Sequence, residues 1–488
     1  MLWRWVFADK INITLQAMPA KEGIKGNFYM KRNAAIREAL NFDDVLLLPG
    51  ETSVKPGDVV TKTRLTKTIE IGIPLVSAGI DNVTESTMAI ALAQLGGVGV
   101  IHDNMPLGKQ VEEVRRVKRA EGDMVQNPIT VSPDSSVAEA LDLMTTYKVS
   151  GLPVIDATQK VVGIITNRDL RFFEDYAKPV SELMSKNVIT VKGKIEKSLA
   201  RQMLHQHRIE KLVVVDEQGK CTGLITVKDI EKMSRYANAA RDSQGRLRVG
   251  ASVTLGKDAV DRSAAMTDAG LDVVFVDVAH GHTRDAVGTV SQIRQQRSND
   301  VQVVAGNVVT ADAARSLIDA GADAIKVGVG STSHAASRSL AGVGVPQLTA
   351  ILNVVEVCEM SNVPVIVDGG VGCPASLAKA IGAGAEAVVI SHLFAGTDEA
   401  PGEIVYTGGQ AYKVVNPAAK AQHRPSASPM MRDPYKLDED PIDTSVPYRG
   451  SVVHMVNQLV SGLRTAMAYT GARDIKSMSE RAEFVRTK

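Results

Sequence analysis

Ala324-Ile-Lys-Val-Gly-Val-Gly-Ser-Thr-Ser-His-Ala-Ala-Ser-Arg-Ser-Leu-Ala-Gly-Val-Gly-Val-Pro-Gln347 is the stretch from which the rest of the chain is read. A short apolar run enters it. Gly328, Gly330, Gly342 and Gly344 then punctuate the loop, with hydroxyl side chains between them. A glycine-rich loop leaving a buried strand lets backbone N–H groups approach an anion closely. An ordinary strand-to-helix turn carries the same glycines, so the loop alone leaves both readings open.

The same apolar run followed by a helical pattern recurs on either side. Strands are expected at 73–79, 97–101, 248–253, 272–278, 301–305, 324–329, 364–367 and 387–390. Helices are expected between them, for example at 84–95, 108–120, 311–320 and 376–383. Near-continuous apolar strands alternating with helices predict a parallel sheet, and eight such units predict a (β/α)8 TIM barrel. In that architecture the functional residues lie just after the strand C-termini. A short helix, a strand and a turn are expected over 37–54.

Composition sets bounds on function. The chain has 488 residues, 44% hydrophobic and 23% charged, as expected of a cytoplasmic globular protein of more than one domain. A formal net charge of +1 gives no electrostatic footprint for nucleic acid. The three cysteines, Cys221, Cys358 and Cys373, are too few and too scattered for a disulfide framework. No apolar run has the length of a membrane span. Residues 1–30 read as an extension outside the core.

Between the second and third strand–helix units the pattern changes to a repeat. Asn127, Ile129, Thr130 and Val131 recur as Asn187, Ile189, Thr190 and Val191. Gly163-Ile-Ile-Thr-Asn-Arg-Asp169 recurs as Gly223-Leu-Ile-Thr-Val-Lys-Asp229. Each copy reads strand, helix, strand, strand, helix. The pair resembles tandem CBS modules (a Bateman domain), which implies adenine or guanine nucleotides as ligands. Thr166, Asp169, Thr226 and Asp229 would then hold ribose hydroxyls; the same Thr-x-x-Asp spacing is also a helix-capping pattern. The domain reading is 1–30 extension, 31–121 first part of the barrel, 122–235 the repeat pair (122–182 and 183–235), and 236–488 the rest of the barrel, with a flap at about 406–450.

The words around the glycine-rich loop carry a second resemblance. They are "NFDDVLLLPG" (41–50), "AGNVVTADAA" (305–314), "VIVDGG" (365–370), "FAGTDEAPGE" (394–403) and "VPYRG" (446–450). With the loop itself, they identify the chain as similar to the IMP dehydrogenase and GMP reductase family. The resemblance implies a purine mononucleotide as substrate, NAD as cofactor, a potassium ion at the loop glycines Gly328 and Gly330, and assembly as a homotetramer or octamer.

That family carries a cysteine nucleophile in the loop. Counting back from Gly342-Val343-Gly344, its position holds Ala335, and the usual threonines after it are Ala336 and Ser337. An alanine has no lone pair with which to attack a purine C2. Other family positions are kept. Asp277 and Asn307 match residues on the cofactor side; Asp368, Gly369, Gly370 and Ser333 match residues on the ribose and phosphate. Ser391-His392 stands where the family has Gly-Ser, Asp440 near its base-reading glutamate, and Val414 to Lys420 where it has a phosphate and base grip. The flap arginine that activates water is matched only by Arg424 or Arg432, neither followed by tyrosine. His334, Cys373 and His392, foreign to the family pattern, come after neighbouring strands and are candidates for a metal or a new nucleophile, or have drifted.

The residues leave four readings open. One is an NAD-dependent dehydrogenase taking IMP to XMP in guanine nucleotide synthesis. The others are a GMP reductase-like enzyme, a nucleotide-binding paralogue without catalysis that joins an active partner in a hetero-oligomer, and an altered chemistry using Cys373.

Overall fold

The computed structural model describes residues 37–487 apart from 123, 127, 148, 194, 298–300, 332–334 and 415–444. The extension read at 1–30 and most of the flap read at 406–450 lie outside the described residues.

Eight strands, Leu75–Ser77, Val98–Ile101, Val249–Val253, Val273–Asp277, Gln302–Val308, Ala324–Val327, Val365–Asp368 and Ala387–Ile390, close into one barrel. Every neighbouring pair is parallel, and the last strand pairs with the first. Parallel barrel strands are covered on both faces, which is why they read as unbroken apolar runs. Val98–Ile101 and Ala387–Ile390 are buried at all four positions. Helices Ser86–Gln94, Leu107–Ala120, Gly256–Asp268, Arg284–Arg297, Ala311–Asp319, Gln347–Met360 and Pro374–Gly382 form the outer layer. Helix Val452–Thr470 closes it, with Gly462 packed on the Pro374 ring. The fold is the (β/α)8 barrel expected.

Boundaries differ in two instructive places. The sixth strand, expected to reach 329, ends at Val327, because Gly328 turns the chain at φ 150°. The short strand Val45–Leu47 pairs antiparallel with Phe484–Arg486 at the other end of the chain, a partner that its own three residues do not specify.

Between the second and third barrel strands lie the elements of the repeat, and none of its described strands pairs with the barrel. The first copy holds helix Val137–Thr146 and the hairpin Gly151–Ile155 with Val161–Thr166. The second holds strand Thr190–Lys192, helix Lys197–Gln206, the hairpin Lys211–Val215 with Cys221–Thr226, and helix Val227–Arg235. The last helix expected of the first copy does not form. Turns come after Thr166, and Phe172 sits at φ 69°, a left-handed conformation that a helix cannot continue through.

The copies complete each other. Val125 pairs with Leu224 of the second copy, and the repeat-equivalent Ser185 bridges to Ile164 of the first. Lys160 and Lys220, equivalent in the repeat, bridge to each other. Val213, Val215 and Leu224 form a buried cluster against Val161 and Ile164 across this join. The exchange is packed at two glycines, for a side chain on Gly163 would run into the Met184 sulfur and one on Gly223 into that of Met124.

Gly163→Val and Gly223→Val are therefore each expected to destabilise the repeat pair by about 1 kcal/mol, the lower end of overpacking costs because a methionine can partly give way. Calorimetric unfolding of the full chain reads this as an earlier transition; an unchanged transition for both variants would contradict the exchanged packing.

Candidate functional site

The C-terminal ends of the barrel strands carry a buried ion cluster. Lys326 lies in the apolar sixth strand and its side chain is only 5% exposed. Its ammonium donates to Asp277 Oδ1 at the end of the fourth strand, 2.7 Å away. It also lies 2.6 Å from Asp368 Oδ2 at the end of the seventh. Burial pulls the lysine pKa down, but the two carboxylates outweigh it and hold the ammonium above its usual range. A lysine in this place must be paired, since an unpartnered buried charge is far too costly.

Asn307, on the fifth strand, reinforces the same carboxylate. Its Nδ2 donates to Asp368 Oδ2 at 3.0 Å and to the Gly328 carbonyl at 2.8 Å. The structure thus places Asn307 against Asp368 and gives it no hydrogen bond to Asp277. Among the described residues its Oδ1 is buried without a partner. The fully buried Gln347 donates to the carbonyls of Val327 and Asp368. Gly328 is required here, because any Cβ on it would overlap the Asp368 carbonyl. Gly369 and Gly370 come next at φ 88° and 79°.

Each aspartate spends one oxygen on this cluster. Among the described residues Asp368 Oδ1 and Asp277 Oδ2 accept no protein hydrogen bond, and the two side chains are 24% and 26% exposed. Two partly open carboxylates at a barrel mouth are suited to accept hydroxyl hydrogens, as on a sugar.

The remaining candidates are spread around this centre. Ala335 and Ser337 are half-buried at the start of the short helix Ala336–Ser339, and Arg338 is exposed. Ser333 and His334 lie outside the described residues, as do Arg424, Arg432 and Asp440. Ser391 is half-buried and precedes the one-turn helix His392–Ala395, with His392 exposed. Cys373 is exposed at the N-terminus of helix Pro374–Gly382, its Sγ 3.3 Å from Ser376 Oγ. Burial raises its thiol pKa, but the Ser376 hydroxyl and the first backbone amides of the helix outweigh that and lower it. Among the described residues no group of three His, Cys, Asp or Glu side chains is arranged for a metal ion. Of the loop glycines named for a cation, Gly328 has its carbonyl already engaged by Asn307.

In the repeat pair, Asp169 Oδ2 accepts from the Thr166 amide at 2.8 Å and from its hydroxyl at 2.7 Å. The capping contact is thus made even though no helix forms after it. Thr226 ends its strand and Asp229 lies in the helix after it; the Asp229 side chain is outside the described part.

Sequence reading missed Lys326, and the signal was present: a lysine inside an apolar barrel strand needs counter-charges. It also missed a second cluster after the first two strands. Glu85 faces the buried His102 ring at 3.7 Å and the Lys109 ammonium at 3.1 Å. Its pKa is lowered to about 2, first by the His102 ring, against the opposing effect of burial, and further by Lys109.

Known proteins share this arrangement of chain. A family model described as the IMP dehydrogenase / GMP reductase domain matches residues 39–488. Inosine-5'-monophosphate dehydrogenase of Aquifex aeolicus is 49% identical over 460 residues, covering 92% of this chain and 93% of its own. That of Rhizobium tropici is 46% identical, covering 92% of each chain. Among solved structures, a cysteine-to-alanine variant of GMP reductase from Trypanosoma brucei in complex with guanosine 5'-monophosphate superposes with a TM-score of 0.85. It is 35% identical and covers 94% of this chain and 97% of its own. No helix among the described residues is long and apolar enough to cross a membrane.

The Glu85 cluster generates an acid-stability expectation. A carboxylate lowered on folding stabilises the folded state above its unfolded pKa of roughly 4.3, and the gain is lost as pH falls towards about 2. Glu85→Gln is therefore expected to flatten the pH dependence of unfolding between those values, measured by denaturant titration at a series of pH. An identical slope in the variant would contradict the assignment.

Proposed function

Because the chain belongs to the IMP dehydrogenase / GMP reductase family, we propose that its barrel binds a purine 5'-mononucleotide but lacks the family's covalent redox step. The observation that carries this reading is the coexistence of an intact Asp277–Lys326–Asp368 cluster with an alanine at position 335. Asp368, through its outward oxygen, accepts the ribose hydroxyls. Gly369 and Gly370 turn the backbone towards the phosphate. Asp277 is suited to the hydroxyls of a ribose of NAD, a cofactor whose nicotinamide ring would supply the hydride acceptor when bound. The relative's cysteine-to-alanine variant, solved with guanosine 5'-monophosphate, supports the idea that a barrel of this kind keeps a nucleotide after losing a thiol.

Residue 335 has no atom that attacks the purine, and Val414 to Lys420 does not carry the family's phosphate and base grip. Removing a covalent nucleophile costs about 10⁶ in rate in the subtilisin series, and groups that act as a unit are not rescued singly. The purified chain is expected to bind IMP or GMP by calorimetry and to form no measurable XMP from IMP and NAD. Asp368→Asn is expected to weaken binding by about 1.5–3 kcal/mol, the range for hydrogen bonds to a charged group. Ala335→Cys alone is expected to leave XMP formation undetectable. XMP production by the unmodified chain would overturn the reading; if Cys373→Ser then abolished it, the exposed thiol at that helix terminus would be the replacement nucleophile.

The repeat pair at 122–235 is read as a CBS-type nucleotide sensor. In the first copy the Asp169 oxygen not engaged by Thr166 remains for a ribose. An adenine or guanine nucleotide at 100 times its dissociation constant is expected to add about 2.7 kcal/mol to stability. Asp169→Ala with Asp229→Ala is expected to abolish that gain in thermal unfolding. No shift with ATP, ADP or GTP in the unmodified chain would refute the sensor reading.

A further inference from the structure

The Lys326 ammonium bridges two carboxylates that approach it from different strands, and this arrangement does more than neutralise charge. It pins Asp277 Oδ1 and Asp368 Oδ2 to one buried atom, at 2.7 and 2.6 Å. Pinning one oxygen of each carboxylate fixes the rotation of both side chains, and so the direction of the oxygen each leaves outward. Asn307 adds a second donor to the pinned Asp368 oxygen. The strand backbone makes the pin rigid, since Gly306, facing Lys326, has no room for a side chain against the lysine's Cβ and carbonyl.

Resting on the mononucleotide reading above, we propose that Lys326 is a positioning residue for ribose recognition, aligning Asp368 for the nucleotide's hydroxyls and Asp277 for those of a second nucleoside ligand. Lys326 is itself too buried to touch either ligand. Its effect is transmitted through the carboxylates, so it belongs to the part of the binding energy that depends on the 2'- and 3'-hydroxyls. The phosphate and base, held elsewhere at the barrel mouth, are only weakly sensitive to it. A purely structural lysine would lower stability and weaken every nucleotide alike.

The test is a ratio. Dissociation constants for IMP, which is neither an adenine nor a guanine nucleotide, and for 2',3'-dideoxyinosine 5'-monophosphate are measured by calorimetry on the full chain and on Lys326→Met and Lys326→Arg. The unmodified chain is expected to prefer the ribonucleotide by about tenfold or more, the scale of a lost charge-assisted hydrogen bond. In Lys326→Met the preference is expected to fall to about twofold, with the dideoxy analogue's affinity nearly unchanged. Lys326→Arg, which keeps the charge, is expected to retain at least half of the preference on a logarithmic scale. Should Lys326→Met fail to fold by circular dichroism, Lys326→Gln takes its place with the same expectation. A full preference in the uncharged variant overturns the positioning role while the mononucleotide reading stands. An equal loss for both nucleotides overturns it as well, in favour of a structural lysine. An unmodified chain that binds neither nucleotide overturns the mononucleotide reading and this inference with it.

Discussion

One buried ammonium holds the candidate site together. Lys326 sits in the middle of a barrel strand whose neighbours are apolar, and it is tolerated there because carboxylates from the fourth and seventh strands reach it. Most charged pairs at protein surfaces contribute little. A pair cut off from water differs, because deleting one member leaves the others uncompensated. The packing around the cluster meets that demand. Gly306 and Gly328 lie where the backbones of the fifth, sixth and seventh strands crowd together, and Gln347 and Asn307 tie those strand ends by side-chain hydrogen bonds.

The barrel was legible in the sequence because its physics is local. A strand covered on both faces must be apolar throughout, and a helix must come after it to bring the chain back, so each unit announces itself. All eight expected strands are present, with ends shifted by a few residues. Less legible were pairings that join distant parts of the chain. Three residues at Val45–Leu47 carry no mark of Phe484–Arg486, and the first repeat copy gives no sign that Phe172 will take a left-handed conformation. The exchange of leading segments between the two copies is a further property of the assembled pair, visible in Val125 with Leu224 and Ser185 with Ile164.

The site was legible in part. Asp277, Asn307 and Asp368 were found by resemblance, and they do converge, although Asn307 supports Asp368 and makes no hydrogen bond to Asp277. Lys326 was passed over because a lysine between Ile325 and Val327 looks like part of a strand until its counter-charges are located. Cys373 and His392 are both exposed at helix starts after adjacent strands, with no metal-binding group among the described residues. What the structure and sequence place side by side is a barrel mouth with two partly open carboxylates and, at position 335, an alanine, the pair of features on which the proposed function rests.

A structure determined with IMP bound would test this account most directly. The expected structure has the ribose hydroxyls on the outward oxygen of Asp368, Lys326 still bridging Asp277 and Asp368, and no bond between the purine C2 and any protein atom. A covalent bond from C2 to the chain, or a nucleotide bound with its ribose away from Asp368, would contradict it.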